Sequence, residues 1–275
     1  MPTLISADEL AEALRSARPP VLLDVRWALG GPPGHGEYLL GHIPGAVFAD
    51  LDVELARHGD ATEGRHPLPD PAKLQEAARR WGINAGDRVV AYDASGNLAA
   101  ARAWWLLRWA GVEDVRLLDG ALAAWIRSGG PMESGDVVPH RGAVELTVGA
   151  LPTLAVDDVV AFAREGVLLD ARAVERFRGD TEPIDPKAGH IPGARNAPTS
   201  ANLDDDGHFL PPAQLRRRFE ELGVGTSSAT AAYCGSGVTA CHEIAALAIA
   251  GYDASLYAGS WSQWSNLDLP VATGD

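Results

Sequence analysis

Residues 234–239 read Cys-Gly-Ser-Gly-Val-Thr, between a short apolar run, Ala229–Tyr233, and an alanine-rich stretch, Thr239–Ala250. The first has the length and composition of a buried strand and the second of a helix, so Cys234 stands at a strand-to-helix turn. Gly235 and Gly237 permit backbone angles with positive φ. Successive N–H groups, those of Ser236, Val238 and Thr239 among them, can then converge into an anion-binding cup. The start of the helix adds a partial positive charge. A cysteine at the lip of such a cup is favoured as the thiolate, the nucleophilic form of sulfur. The hydroxyls of Ser236 and Thr239 offer further donors. A second reading stays open: a cysteine at a strand end is also an ordinary small buried residue.

Cations that could hold an anionic substrate beside this loop are few. Arg172 ends the run VLLDAR and Arg176 follows four residues later, a spacing that puts both guanidinium groups on one side of a helix. A guanidinium fork suits a pair of carboxylate oxygens; the alternative is a salt bridge to Glu175 or Glu182. Lys187, in the irregular stretch before GHIPGA, is a weaker anion-contact candidate. Cys241 lies seven residues beyond Cys234, roughly 10 Å along a helix, too far for a disulfide, and reads as buried filler.

The elements that must position these residues occur twice. VLLDVRW (Val21–Trp27) returns as VLLDARA (Val167–Ala173), and GHIPGAVFAD (Gly41–Asp50) as GHIPGARNAP (Gly189–Pro198). RVVAYDASGN (Arg88–Asn97) is echoed by ATAAYCGSGV (Ala229–Val238), and LLDGALAAW (Leu117–Trp125) by LYAGSWSQW (Leu256–Trp264). Four matches in one order at nearly one offset indicate a duplicated domain, with a period far too long for a solenoid. Asp93 takes the place of the cysteine in the first copy, and a carboxylate cannot replace a thiolate as a sulfur carrier. Ser6 with Glu9 predicts a capping box opening a helix through Ala17. Strands are expected at Val21–Asp24, Arg88–Tyr92, Val115–Leu118, Val167–Asp170, Ala229–Tyr233 and Ser255–Tyr257. Helices are expected over Lys73–Trp81, Asn97–Ala110, Ala121–Arg127, Ala213–Leu222 and Thr239–Ala250. Short apolar runs alternating with helices predict an α/β fold, with ligands at the carboxyl ends of parallel strands. The Gly- and Pro-bearing stretch Ser128–Pro152 predicts the connection: a first domain over 1–140, a linker over 141–152 and a second domain over 153–275. The tryptophans are expected mainly in the core, with Trp261 and Trp264 in position to line a cleft wall.

The chain has 275 residues, a formal net charge of −14 and two cysteines. That charge argues against nucleic acid or an anionic membrane as the main partner. Two cysteines exclude a disulfide-dense scaffold or a cysteine-rich metal site. The first residues carry acids where a signal peptide carries basic and apolar regions, so a cytoplasmic protein is expected. The histidines, His58 and His66 among them, read as loop residues rather than metal ligands, and no cofactor is expected.

The duplicated GHIPGA element and the Cys-Gly-Ser-Gly-Val-Thr loop resemble the two-domain rhodanese family of sulfurtransferases, from VLLDVRW to LDLPV. The resemblance implies two tandem rhodanese-like domains, each a mostly parallel sheet flanked by helices, the second catalytic. The loop is similar to that of the 3-mercaptopyruvate sulfurtransferase branch. The thiosulfate branch has Cys-Arg-Lys-Gly-Val-Thr, and here Gly235 and Ser236 stand where its two cations would be. Thiosulfate is a dianion that benefits from loop cations, whereas the carboxylate of mercaptopyruvate can be held by a more distant arginine. The resemblance implies that Cys234 takes sulfur as a persulfide and passes it to cyanide, a small thiol or thioredoxin. It assigns Arg176 to the donor's carboxylate, Arg172 to the pocket lining, and a further cation near Lys187. It also implies a relay of a loop serine, a first-domain histidine and an acid, here Ser236 and His42. Glu37 is the only carboxylate in the stretch before His42.

Three rival readings differ in chemistry. A cysteine phosphatase on this scaffold requires an arginine six residues after the cysteine, and Ala240 stands there. A sulfur-carrier binding module would form the persulfide without discharging it. A thiosulfate-preferring transferase shares the nucleophile and differs only in donor.

Overall fold

The structure, a computed structural model, describes residues 2–275. It divides into two compact units. The first runs through Arg57 and adds Pro69–Leu151 and Asp204–Phe209; the second comprises His58–Leu68, Pro152–Leu203 and Leu210–Asp275.

In the first unit β1 (Leu4–Ile5), α1 (Ala7–Leu14), β2 (Val21–Asp24), α2 (Gly34–Leu40), β3 (Val47–Phe48) and α3 (Leu51–Glu54) follow one another. Then come α4 (Pro71–Arg80), β4 (Val89–Tyr92), α5 (Ala100–Trp109), β5 (Val115–Leu118) and α6 (Ala121–Arg127). The strands pair in parallel in the order β1-β5-β4-β2-β3. Local chemistry sets the helix starts. Ser6 and Glu9 form the expected capping box on α1, although the helix stops at Leu14 rather than Ala17. Asp70 caps α4, with Pro71 at its first position.

The second unit contains α7 (Val156–Glu165), β6 (Val167–Asp170), α8 (Val174–Arg178), β7 (Arg195–Asn196) and α9 (Pro212–Glu221). It continues with β8 (Thr230–Tyr233), α10 (Thr239–Ala250), β9 (Ser255–Leu256) and α11 (Ser260–Trp264). Its parallel sheet has the order β7-β6-β8-β9. Each VLLD run is a central strand, so its apolar residues are buried on both faces, as parallel sheets require.

The repeats are physical as well as textual. Asp24 and Asp170 each end a central strand, and each is fully buried. Arg26 donates to Asp24 from Nε at 3.0 Å and Nη2 at 2.7 Å, and to the Gly41 carbonyl. Arg172 repeats the arrangement on Asp170 at 3.0 and 2.6 Å and on the Gly189 carbonyl at 2.7 Å. The next strand brings a tyrosine to each aspartate. Burial, reinforced by the carboxylate, pushes the hydroxyls of Tyr92 and Tyr233 far up, so both stay protonated. Each hydroxyl accepts an amide of the GHIPGA turn, from Ile43 at 3.1 Å and Ile191 at 3.2 Å.

The expected linker is no free connection. Gly142 and Val144 donate amides to Arg79 and Ile83, and Thr147 and Ala150 to Ala110 and Trp109. Arg141 adds a two-pronged bond to Glu76. A Cβ on Gly142 would lie 2.0 Å from the Ile83 carbonyl, so only glycine lets this segment approach so closely. Residues 141–151 thus pack within the first compact unit, which also takes in 204–209, while 58–68 pack within the second.

Removing one member of a buried ion pair leaves the other uncompensated. Asp170→Ala should therefore cost about 3 kcal/mol or more, measured by guanidinium chloride unfolding. A loss below about 1 kcal/mol would show that Glu182 and the Gly189 carbonyl suffice for Arg172.

Candidate active site

The loop after β8 is built as its residue types demand. Gly237 has φ +79, and a Cβ there would meet the Ala258 carbonyl at 2.3 Å, so glycine is required twice over. The start of α11 holds the loop from below. Trp261 and Ser262 donate amides to the carbonyls of Cys234 and Gly235 at 3.0 and 2.8 Å. The Cys234 amide donates to Ser260 Oγ at 3.1 Å, and that hydroxyl donates to the Tyr257 carbonyl at 2.9 Å. The sulfur of Cys234 accepts the Gly237 amide at 3.1 Å. Val238 precedes the first turn of α10, and Thr239 opens it. Cys241 packs inside α10, its Sγ 3.3 Å from the Gly237 carbonyl.

The first unit shows what this kind of loop binds. Asp93 ends β4 as Cys234 ends β8. Its Oδ1 accepts the amides of Ser95 and Asn97, and its Oδ2 those of Ala99 and Ala100, all at 2.8–3.0 Å. Burial pushes the Asp93 carboxyl up, and the four amide donors pull it back toward the anion. The Leu122 amide, on α6, donates to the Asp93 carbonyl just as Trp261 on α11 donates to Cys234. One scaffold thus presents a carboxylate in one copy and a cysteine in the other.

Arginines flank the second loop, and not those expected alone. Arg176, on α8, donates to Glu182 from Nε at 3.2 Å and Nη2 at 2.7 Å, and to Asp185 at 3.2 Å. Its Nη1 lies 3.5 Å from where a Cβ of Gly235 would be. Arg65 Nη2 lies 3.2 Å from the same point, and its Nη1 donates to Asp185. The two guanidinium groups thus converge on Gly235, where a side chain would crowd both.

Three expected site residues are placed elsewhere. Arg172 precedes α8 instead of sharing its face with Arg176, and its guanidinium is committed to Asp170, Gly189 and Glu182. It also lies 4.6 Å over the Trp261 ring, so it braces the floor of the site rather than lining the pocket. Lys187 spends its ammonium on the Leu267 carbonyl at 2.7 Å. Trp261 and Trp264 are fully buried core residues, not a cleft wall.

His42 is the third. Its Nδ1 lies 2.9 Å from the Tyr38 carbonyl, and because a carbonyl only accepts, Nδ1 carries the proton. Its ring stacks on Tyr38 at 4.1 Å, and its backbone bridges to Glu133. His190 repeats this on Phe177, at 2.8 Å to the carbonyl and 3.7 Å between rings. His42 is thus the turn-stapling histidine of the repeat. The histidine on Ser236 is His66, with Nδ1 2.8 Å from Oγ.

Sequence reasoning missed His66, Arg65, Asp185 and the supporting Ser260. His66 does lie in a loop, but residues 58–68 pack within the second unit. Arg65 N donates to Ser262 Oγ at 3.0 Å, and Gln263 Nε2 to the Thr62 carbonyl at 3.0 Å. The available signal was the pair Arg65-His66, a cation and an imidazole in a stretch with no strand or helix period.

One loop scaffold carried twice, with Cys234 in one copy and Asp93 in the other, on parallel sheets flanked by helices, defines a tandem pair of rhodanese-type domains. The rhodanese-like domain family matches residues 6–128 and 156–267. The chain belongs to that family, as a two-domain sulfurtransferase. It is 48% identical over 268 residues to a putative thiosulfate sulfurtransferase, SseB, of Mycobacterium tuberculosis, covering 96% of this chain and 94% of that one. It is also 48% identical over 285 residues to a probable 3-mercaptopyruvate sulfurtransferase of Pseudomonas aeruginosa, covering 99% and 98%. The crystal structure of SseA from Escherichia coli, described among 3-mercaptopyruvate sulfotransferases, superposes with TM-score 0.84 at 34% identity, over 95% of this chain and 99% of that one. No helix among the described residues is long and apolar enough to cross a membrane.

Asp93→Ala strands four amide donors, three of them buried and each of those worth about 1–3 kcal/mol when left unpaired. It should lower the thermal midpoint sharply, whereas Cys234→Ser should leave it close to wild type. Equal effects of the two substitutions, read by thermal unfolding, would mean that the cups are not equivalent.

Proposed function

We propose that this protein transfers sulfane sulfur from 3-mercaptopyruvate to a thiophilic acceptor through a persulfide on Cys234. The observation that carries this reading is the Gly237 amide on the Cys234 sulfur, in a loop whose counterpart closes on the Asp93 carboxylate. A loop that suits an anion favours the thiolate as nucleophile and a persulfide anion as product.

The thiolate attacks the donor's sulfur. The S–S bond forms, the C–S bond breaks, and its electron pair passes to the methylene carbon as the enolate of pyruvate. The proton of the donor thiol ends on that carbon, so the products are pyruvate and the Cys234 persulfide anion, and charge balances. Ser236 and His66, 2.8 Å apart, are the groups placed to carry the proton. A thiolate, cyanide or the reduced cysteine of a thioredoxin then attacks the outer sulfur and restores the Cys234 thiolate.

Charge around the loop favours this donor over thiosulfate. Glu182 and Asp185 are both bound to Arg176, and Asp185 also to Arg65, so the two cations facing Gly235 are largely compensated. A carboxylate monoanion matches such a site better than a dianion does. The thiosulfate name carried by the mycobacterial relative marks the competing reading, but residues 235 and 236 of the loop are themselves Gly and Ser rather than cations.

With cyanide as acceptor, kcat/KM should be much larger for 3-mercaptopyruvate than for thiosulfate, and Cys234→Ser should abolish both activities. Preference for thiosulfate would overturn the donor assignment, and turnover by the serine variant would overturn the nucleophile. Arg176→Ala should raise the KM for mercaptopyruvate about tenfold or more with a smaller change in kcat, because it removes ground-state carboxylate binding. An unchanged KM in steady-state assays would place the carboxylate elsewhere.

A further inference from the structure

Lys187 is occupied by the Leu267 carbonyl and Arg172 by two carboxylates and a carbonyl, whereas a cation the sequence did not single out, Arg65, is turned to Gly235 of the sulfur loop. Its backbone is fixed. Its amide donates to Ser262 Oγ at 3.0 Å, and the preceding Gly64, at φ +90, runs so close to α11 that a Cβ would meet the Gly259 carbonyl at 2.7 Å. Its guanidinium is only partly committed. Nη1 bonds Asp185, Nη2 is turned to Gly235, 3.2 Å from where its Cβ would be, and Nε is buried with no hydrogen-bond partner among the described residues. Buried N–H donors are normally paired, so the orphan Nε marks a guanidinium whose bonding the described residues do not complete.

Arg176 faces the same point from α8, and Asp185 bridges the two arginines. Two guanidinium groups beside one glycine match a ligand with two adjacent acceptor groups. A carboxylate next to a carbonyl is such a ligand, one fork taking the carboxylate and the other the carbonyl oxygen. We infer that Arg65 is a second donor-binding cation, which with Arg176 selects donors bearing a carboxylate beside a carbonyl. This rests on the reading that Cys234 receives the donor's sulfur.

The test uses the full chain and two readouts. The first is the rate of Cys234 alkylation, mapped by mass spectrometry, with anionic iodoacetate and neutral iodoacetamide. Arg65→Ala should lower the iodoacetate-to-iodoacetamide rate ratio about tenfold, with the iodoacetamide rate within about twofold of wild type. Arg65→Gln, which keeps more of the packing volume, should do the same if the alanine variant is unstable. An unchanged ratio, or an equal fall in both rates, would overturn the inference; the latter would mean that Arg65 only props the loop and His66. The second readout is steady-state transfer. The KM for 3-mercaptopyruvate should rise about tenfold or more in Arg65→Ala and recover partly in Arg65→Lys, which restores charge but not the fork. An unchanged KM would overturn the inference. Should the wild type take no sulfur from 3-mercaptopyruvate, the donor assignment falls, while the alkylation ratio still decides whether Arg65 directs anions to Cys234.

Discussion

A strand-end loop that turns its amides inward must be given an anion, and the rest of the structure serves that constraint. Inward-pointing N–H groups that find no acceptor are costly in a buried site. The first unit meets the requirement with its own side chain, Asp93, whose two oxygens take four amides. The second unit places Cys234 there, so the acceptor is sulfur. Around both loops the same frame recurs. A buried aspartate–arginine pair ends the neighbouring strand, and a short helix donates an amide to the carbonyl beneath the cup. The frame is shared; the two copies differ in the residue that occupies the cup.

Charge beside the cup is arranged in layers. Arg172 is sunk in the floor, paired with Asp170 and stacked over Trp261, and supplies rigidity rather than recognition. Arg176 and Arg65 lie nearer the opening, each tied on one side by Asp185 and left with donors on the other. The carboxylates orient the two forks and also offset their charge. That combination binds oriented oxygen pairs while drawing less on net charge, which is why it suits a monoanion.

Much of this was legible in the chain. The repeats give two parallel sheets, and the strands Val21–Asp24, Val115–Leu118 and Val167–Asp170 fall where the apolar runs put them. The place of Cys234 at a strand-to-helix turn could be read from residue type, because that geometry is local. The errors have one physical source, the use of linear spacing for contacts that are not linear. Arg172 was paired with Arg176 by an i, i+4 rule, but an aspartate two residues earlier captures it. His42 was placed in the relay because it begins a repeated motif, and the repetition itself, seen again in His190, marks it as scaffold. Residues 58–68 fall in the first repeat by number and in the second unit by packing, so Arg65 and His66 had no partner visible in sequence. Short elements such as α8 and α11 carry too few residues to show a period.

The contrast between the two cups also bears on the proposed persulfide. In Asp93 the atoms that take the four amides are two bonds beyond Cβ. In a cysteine the sulfur is one bond beyond Cβ, and here it takes the Gly237 amide. Adding a sulfur at about 2.05 Å places a second, negatively charged atom two bonds beyond Cβ, at the reach of the aspartate's oxygens. A cup shaped like that around Asp93 is therefore better filled by the persulfide than by the bare thiolate. The scaffold then favours the sulfur-loaded enzyme, and the acceptor must supply the nucleophile that reverses it. On this argument the first copy is the template against which the second is understood: it holds, in carbon and oxygen, the counterpart of the anion proposed for Cys234.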